Sequence, residues 1–115
     1  MISDPMSLAW KSGASQDTAI LQVTGPLTIN NLFSFQDEVA RVKPRVLIVD
    51  LTACPYVDSA GLGTLINTYV AVEKRNGKFL LCGANNRVIA LLETAKVHTL
   101  LKNCPTAAEA EQSVS

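Results

Sequence analysis

The sequence predicts an α/β fold: a single domain with a mixed, mostly parallel sheet of four to five strands and about four helices. Short aliphatic runs alternate along the chain with segments whose apolar residues recur at helical spacing. Residues 46–49 are four consecutive aliphatic residues, which is typical of a strand buried on both faces of a parallel sheet. Two short strands near the N-terminus are joined by a short connection, so we expect that pair to be antiparallel.

The size, composition and charge of the chain limit the classes of function that are possible. The chain has 115 residues, enough for one compact domain, and 48% of them are hydrophobic while 5% are aromatic, which predicts an aliphatic core. Ten basic and ten acidic residues cancel, and no basic cluster points to nucleic acid or an anionic membrane surface. No apolar run approaches the ~18–20 residues that membrane insertion requires.

The cysteines indicate the compartment. There are three, Cys54, Cys82 and Cys104, and no two are separated by two residues. An odd number without such a pair argues against a disulfide framework and against a zinc site. We therefore expect a cytoplasmic protein in a reducing environment.

The first half of the chain predicts three strands and one helix. After a flexible leader over residues 1–6, we expect an edge strand at 7–11, a second strand at 19–24 and a central strand at 45–51. Asn30 or Asn31 can cap the helix, and Pro44 closes it. Its apolar face consists of Leu32, Phe35, Val39 and Val42.

The second half predicts two strands and three helices. A helix from Ser59 or Ala60 runs to about residue 75 and stops at Asn76-Gly77, and a buried strand follows at 78–83. Asn85 or Asn86 caps the next helix, whose apolar residues are Val88, Leu91, Leu92 and Ala95. A brief edge strand is expected at 98–101. Thr106 and Glu109 resemble a capping box that opens a last short helix, so the domain covers 7–111 and a flexible tail 112–115.

The turn from the central strand into the long helix carries the most specific pattern. Asp58 and Ser59 are good N-cap residues, and Asp58 can also hold the loop through backbone N–H groups. Free N–H groups and the helix dipole make this turn favourable for a negative charge. Gly61 and Gly63 cost roughly 1 kcal/mol each in helix propensity. Tight packing inside the domain and close approach of a partner explain those glycines equally well.

No catalytic constellation is present, so the sequence predicts a protein that is not an enzyme. The one histidine, His98, lies in no cluster, and no metal or cofactor site is expected. Gly61 and Gly63 do not continue into a dinucleotide-binding fingerprint, because position 66 is Ile. Asp50 ends a central strand like the phosphoacceptor of a receiver domain, but the acidic pair that such a domain needs is missing.

Residues 47–63, LIVDLTACPYVDSAGLG, resemble the STAS domain, the sulfate transporter and anti-sigma factor antagonist module. The D-S-x-G-L-G core directly after a D-L-T strand end is the specific part, and the likeness extends over most of the chain. Gly25-Pro26-Leu27 resembles the turn after the second strand of that family. The resemblance implies a single STAS-like domain that acts as a free-standing bacterial anti-sigma factor antagonist.

The resemblance also implies a partner and a mechanism. Members bind an anti-sigma factor, often a serine kinase, and so release a sigma factor and regulate transcription. The kinase inactivates them by phosphorylating a Ser or Thr at the start of this helix. The implied partner-binding residues are Asp58, Ser59, Ala60, Gly61, Leu62 and Gly63. Thr28 and Asn30 are turn and cap residues that are included as further contacts, and Phe33 is considered as an exposed contact.

Two positions depart from the family pattern. The usual phosphoacceptor precedes the first glycine, and this chain has Ala60 there, so Ser59 is the phosphorylation candidate. Pro26 and Thr28 stand where many members have acidic residues. Three alternatives follow: a shifted phosphosite at Ser59, a constitutively active binder in which Ser59 is a plain N-cap, or an adaptor subunit of a signalling scaffold or lipid-transport complex. A further idea is nucleotide binding at the helix start, and only the general tendency of helix N-termini to bind anions supports it.

Overall fold

A computed structural model describes residues 6–114, which form one five-stranded sheet and four helices and confirm the predicted α/β class. The elements in chain order are β1 Ser7–Ser12, β2 Thr18–Thr24, α1 Leu32–Arg41, β3 Val46–Ala53, α2 Ser59–Lys74, β4 Lys78–Cys82, α3 Asn86–Thr94, β5 Asn103–Cys104 and α4 Ala107–Val114. Within this part of the chain, no helix is both long and apolar enough to cross a membrane.

The sheet has the strand order β1-β2-β3-β4-β5, with β1 antiparallel to β2 and every other pair parallel. The side chains of β3 alternate between two cores. Leu47 and Val49 belong to a larger core with residues of α1, α2 and α3, whereas Val46 and Ile48 belong to a smaller core with Ala110 of α4. The prediction that this strand is buried on both faces is therefore confirmed.

Local side-chain caps begin three of the helices, as the sequence predicts. Asp58 Oδ1 accepts from the backbone N–H of Gly61 at 2.8 Å in α2, and Asn85 Oδ1 accepts from Val88 at 2.9 Å in α3. In α4, the Thr106 hydroxyl accepts from the N–H of Glu109 at 3.2 Å. These bonds satisfy first-turn donors that have no partner within the helix.

The start of α1 differs from the prediction. Asn31 occupies the N-cap position, but its side chain makes no cap hydrogen bond. Its Oδ1 instead accepts from the N–H of Thr28 at 2.9 Å, and its Nδ2 donates to the Pro26 carbonyl at 2.8 Å. Asn31 therefore braces the turn that precedes the helix.

The prediction of an edge strand over 98–101 is wrong. Residues 98–100 lie in a turn, and the edge strand is β5, Asn103–Cys104, which pairs with the end of β4. Leu101 is fully buried, and its N–H and that of Leu100 donate to the Val97 carbonyl. This turn places Leu101 in the core, so chain pairing with β4 begins only after it.

The last helix extends beyond the predicted end of the domain. Helix α4 runs to Val114, three residues past the predicted end at 111, and Val114 packs against the smaller core. Of the predicted leader and tail, residues 1–5 and 115 lie outside the described residues.

Candidate functional site

Two loops meet where the parallel strands β2 and β3 end. Leu27 forms a parallel bridge with Val57, and backbone hydrogen bonds of 3.1 Å join the Leu27 N–H to the Tyr56 carbonyl and the Asp58 N–H to the Leu27 carbonyl. The chain therefore brings the turn over residues 25–31 against the start of α2, as expected for neighbouring carboxyl ends of a parallel sheet.

Asp58 fastens these two segments through its side chain. Its Oδ1 caps α2 at Gly61, and its Oδ2 accepts from the backbone N–H of Ile29 at 3.0 Å. Both expected roles, the N-cap and the bond to a neighbouring loop, are thus performed by one carboxylate. The position of Ile29 relative to α2 is set by this residue.

The turn before α1 is internally braced. The Thr28 hydroxyl accepts from the N–H of Asn30 at 3.2 Å, and the Thr28 carbonyl accepts from the N–H groups of Asn31 and Leu32. Together with the two side-chain bonds of Asn31, these contacts fix the backbone of residues 26–32. A rigid turn presents its exposed side chains at little entropic cost on binding.

Burial divides the predicted partner contacts. Ser59 and Asn30 are exposed, and Asp58, Ala60 and Gly63 are half-buried. Thr28, Gly61 and Leu62 are buried, with 8% of Thr28 and 7% of Leu62 exposed. Burial argues against direct contact by the Leu62 and Thr28 side chains, because Leu62 packs into the larger core and Thr28 braces its turn.

Two exposed apolar side chains lie beside this site. Ile29 is 58% exposed and Phe33 is 66% exposed. The sequence carries a signal for both: Ile29 sits between two polar turn residues, and Phe33 is one position off the apolar face of α1. We define the platform as five of the exposed or half-buried residues around the start of α2, namely Ile29, Asn30, Phe33, Ser59 and Gly63.

The two glycines of α2 have different surroundings. A Cβ at Gly61 would collide with the Leu27 carbonyl oxygen and lie 2.9 Å from Val57 Cγ1, whereas a Cβ at Gly63 would meet nothing within 4 Å. Packing of the two loops therefore explains Gly61. Gly63 faces open space, so no side chain projects from the helix backbone at this position of the platform.

The loop that leads into α2 is held from its other side by α3. The Asn85 side chain donates to the Pro55 carbonyl at 3.0 Å, and the Arg87 guanidinium lies 4.8 Å from the centre of the Tyr56 ring. Cys54 is buried beneath the loop, and this burial raises the pKa of its thiol. Across residues 6–114, no three His, Cys, Asp or Glu side chains gather as a metal-binding group.

The sequence is similar to a known domain family and to a protein from Listeria. The model of the STAS domain family matches residues 10–110. An anti-sigma-B factor antagonist from Listeria monocytogenes is 29% identical over 66 residues, which are 56% of this chain and 58% of that protein. The chain thus spans little more than half the length of this relative.

Solved structures share the fold. An anti-sigma factor antagonist from Mycobacterium paratuberculosis superposes with a TM-score of 0.83 at 18% identity, over 96% of this chain and 94% of that one. The anti-sigma factor antagonist SpoIIAA in its unphosphorylated form gives a TM-score of 0.79 at 14% identity, over 94% and 96%. Its phosphorylated form from Bacillus gives 0.73 at 13% identity, over 95% and 100%.

Proposed function

This chain belongs to the STAS domain family, and we propose that it acts as an anti-sigma factor antagonist. It binds an anti-sigma factor through the platform, and this binding releases a sigma factor. The observation that carries the proposal is the pair of exposed apolar side chains, Ile29 and Phe33, beside the N-terminus of α2. Relatives with this fold are named as anti-sigma factor antagonists, which supports a regulatory binding role without catalysis.

The platform has the physical properties of a protein contact. A large exposed aromatic and a neighbouring aliphatic side chain supply apolar area that a partner can bury, and aromatic residues are enriched among the strongest interface contacts. Asp58 and Asn31 hold the backbone that carries Ile29 in place before binding. Gly63 leaves room for the partner to approach α2 closely.

Ser59 is the residue on the platform through which a kinase would control the complex. It is exposed and takes no part in the hydrogen bonds that join the two loops. A phosphate there would add roughly −1.5 to −2 charges next to the apolar pair. The helix N-terminus would stabilise that charge within the protein, while a docked partner would have to desolvate it.

Capture experiments test the proposal. Tagged protein is incubated with lysate of the organism that encodes it, once with ADP and once with ATP, and the bound proteins are identified by mass spectrometry. We expect a sigma-regulating kinase to be retained with ADP and released with ATP, with phosphate on Ser59. Retention of transport or scaffold subunits in place of a sigma regulator would refute the assignment.

A matched pair of variants tests the docking surface. Phe33→Asp should weaken binding of the captured partner by at least tenfold, because it places a charge in the centre of the apolar contact. Val70→Asp is the control, since Val70 is 40% exposed on α2 and outside the platform. Ser59→Asp should also weaken binding, whereas Ser12→Asp at the far end of β1 should not. Equal affinity of the Phe33 and Val70 variants would rule out the platform.

A second candidate function is an adaptor subunit of a signalling scaffold or lipid-transport complex, without reversible modification. Ala60 favours it, because the position of the usual acceptor has no hydroxyl and the Ala60 side chain packs against the larger core. This function predicts a stoichiometric complex that survives ATP while the captured protein stays unmodified. The same capture experiment therefore separates the two functions.

A further inference from the structure

A groove lies between α1 and α2, on a side of the domain that the platform does not use. Its volume is about 470 Å³, within the range of roughly 300–1,000 Å³ typical of small-molecule sites. Leu47 of β3 and Val72 of α2 are buried members of the larger core and line it. The groove shares no residue with the platform, so the inference does not depend on the proposed function.

The walls of the groove are apolar along most of their length. Val39, Ala40 and Ala71 are small or aliphatic and leave space between the helices. The Thr68 hydroxyl donates to the Thr64 carbonyl at 2.8 Å, so it is satisfied within α2 and requires no polar ligand. This middle section suits an alkyl chain better than a sugar or a nucleotide.

One end of the groove is cationic. Lys43 and Arg75 line it, and no acidic residue does so in the described part of the chain. Neither cation belongs to an ion pair among residues 6–114. Arg75 Nη2 donates to the Pro44 carbonyl at 2.9 Å and so holds the guanidinium in place, while its Nε is buried without a hydrogen-bond partner. Buried donors without partners are rare in proteins, and an anionic ligand at this end of the groove would offer an acceptor to the guanidinium.

We propose that this groove binds a fatty-acid anion, with its carboxylate at Lys43 and Arg75 and its alkyl chain along Ala71 and Val39. The far end is closed by a hydrogen bond of 3.3 Å from Gln36 Nε2 to Thr64 Oγ1. Thr64 lies in α2 and Arg75 is the residue that caps its C-terminus, eleven residues later, which corresponds to roughly 16–17 Å at a rise of 1.5 Å per residue. A single extended chain of medium length matches this shape and charge.

Titration with dodecanoate, below its micelle concentration, tests the site. The protein is labelled with ¹⁵N, and amide shifts are followed by NMR while the affinity is measured by calorimetry. We expect saturable one-to-one binding, with shifts centred on Thr64, Asn67 and Ala71. Decanoate should bind about tenfold more weakly, because it buries two fewer methylenes. Dodecyltrimethylammonium, with the same chain and the opposite charge, should bind at least tenfold more weakly than dodecanoate.

Two variant pairs complete the test. Ala71→Trp fills the groove and should abolish binding, whereas Ala90→Trp on α3 should not. Lys43→Met should weaken dodecanoate at least threefold and leave dodecyltrimethylammonium unweakened, with Lys74→Met as the control for a lost surface charge. Absence of saturable binding, binding that survives Ala71→Trp, or equal affinity for the two head groups would each overturn the proposal.

Discussion

At the scale of single residues, Asp58 couples two features of the site. Its carboxylate caps α2 and also holds the N–H of Ile29, so the start of the helix and the turn over residues 25–31 share one anchor. Loss of an N-cap alone costs about 1 kcal/mol. Here the same loss would also free the backbone that presents an exposed apolar side chain, so stability and docking depend on one residue.

Alanine should change the free energy of unfolding in opposite directions at the two glycines of α2. Gly63→Ala should raise the free energy of unfolding by up to about 1 kcal/mol, because alanine favours the helix and its Cβ meets open space. Gly61→Ala should lower it by about 1–3 kcal/mol, because its Cβ would collide with the Leu27 carbonyl. Urea denaturation of both variants measures this. Changes of the same sign would show that the loops do not pack against α2 as described.

Single residues also show where sequence reasoning succeeds. Asp58 and Asn85 cap their helices as predicted, because a cap is a local interaction over three residues. The burial of Leu62 and the exposure of Ile29 were not predicted, because they depend on how α1, α2 and the loop between β2 and α1 meet in space. The cap at the start of α2 could therefore be predicted from the sequence, whereas which side chains around it are exposed required the structure.

At the scale of elements, the same distinction holds. Helices and strands with a clear apolar period were predicted close to their observed bounds. Strand β5 was misplaced because its two residues have no period, and its position depends on pairing with β4 after Leu101 has entered the core. Likewise, Asn31 was predicted as a possible cap from its type, but tertiary contacts direct its side chain to Thr28 and Pro26.

The attachment of β1 to α1 gives a pH-dependent prediction. Trp10 Nε1 donates to Glu38 Oε1 at 2.7 Å, and Arg41 Nη2 donates to the same oxygen at 2.6 Å. The bonds from Arg41 and then Trp10 lower the pKa of Glu38 below its ordinary value of 4.5. The ionised carboxylate therefore stabilises the fold above that value, and this contribution is lost as pH falls through the lower pKa of the folded state.

Glu38→Gln should accordingly lower the melting temperature at pH 7, and the difference from the unaltered protein should shrink as the pH drops below 4.5. Thermal melts followed by Trp10 fluorescence between pH 7 and pH 3 measure the effect, since the chain has one tryptophan. Glu73→Gln, which changes an exposed carboxylate on α2, is the control. A difference that stays constant over this range would show that the ionised form of Glu38 contributes nothing to the attachment.

At the scale of the whole molecule, the sheet separates two cores of unequal size. The larger one lies under α1, α2 and α3, and the smaller one is covered by α4. The alternation of strands and helices was sufficient to predict the layers and the fold class, because apolar periodicity records which faces are buried. It does not record how strongly the two layers are coupled, which is a property of the folded chain.

The reactivity of two buried thiols, which lie on opposite sides of the sheet, can report that coupling. Cys54 belongs to the larger core and Cys82 to the smaller one, and burial raises the pKa of both. For Cys82 the charge of Asp50 adds to burial, and its pKa reaches about 12. At pH 8 very little of Cys82 is then thiolate, which is the reactive form. Alkylation of either cysteine therefore requires the chain to open.

A domain of this size unfolds as one cooperative unit, so we expect Cys54 and Cys82 to become reactive together. Cys104 is half-buried, and Cys104→Ser removes its competing thiol. Iodoacetamide labelling of this variant at rising urea, read at each cysteine by mass spectrometry, should give two rates with the same urea dependence. A shallower dependence for Cys82 alone would mean that α4 detaches before the rest unfolds, because a local opening exposes less surface than global unfolding.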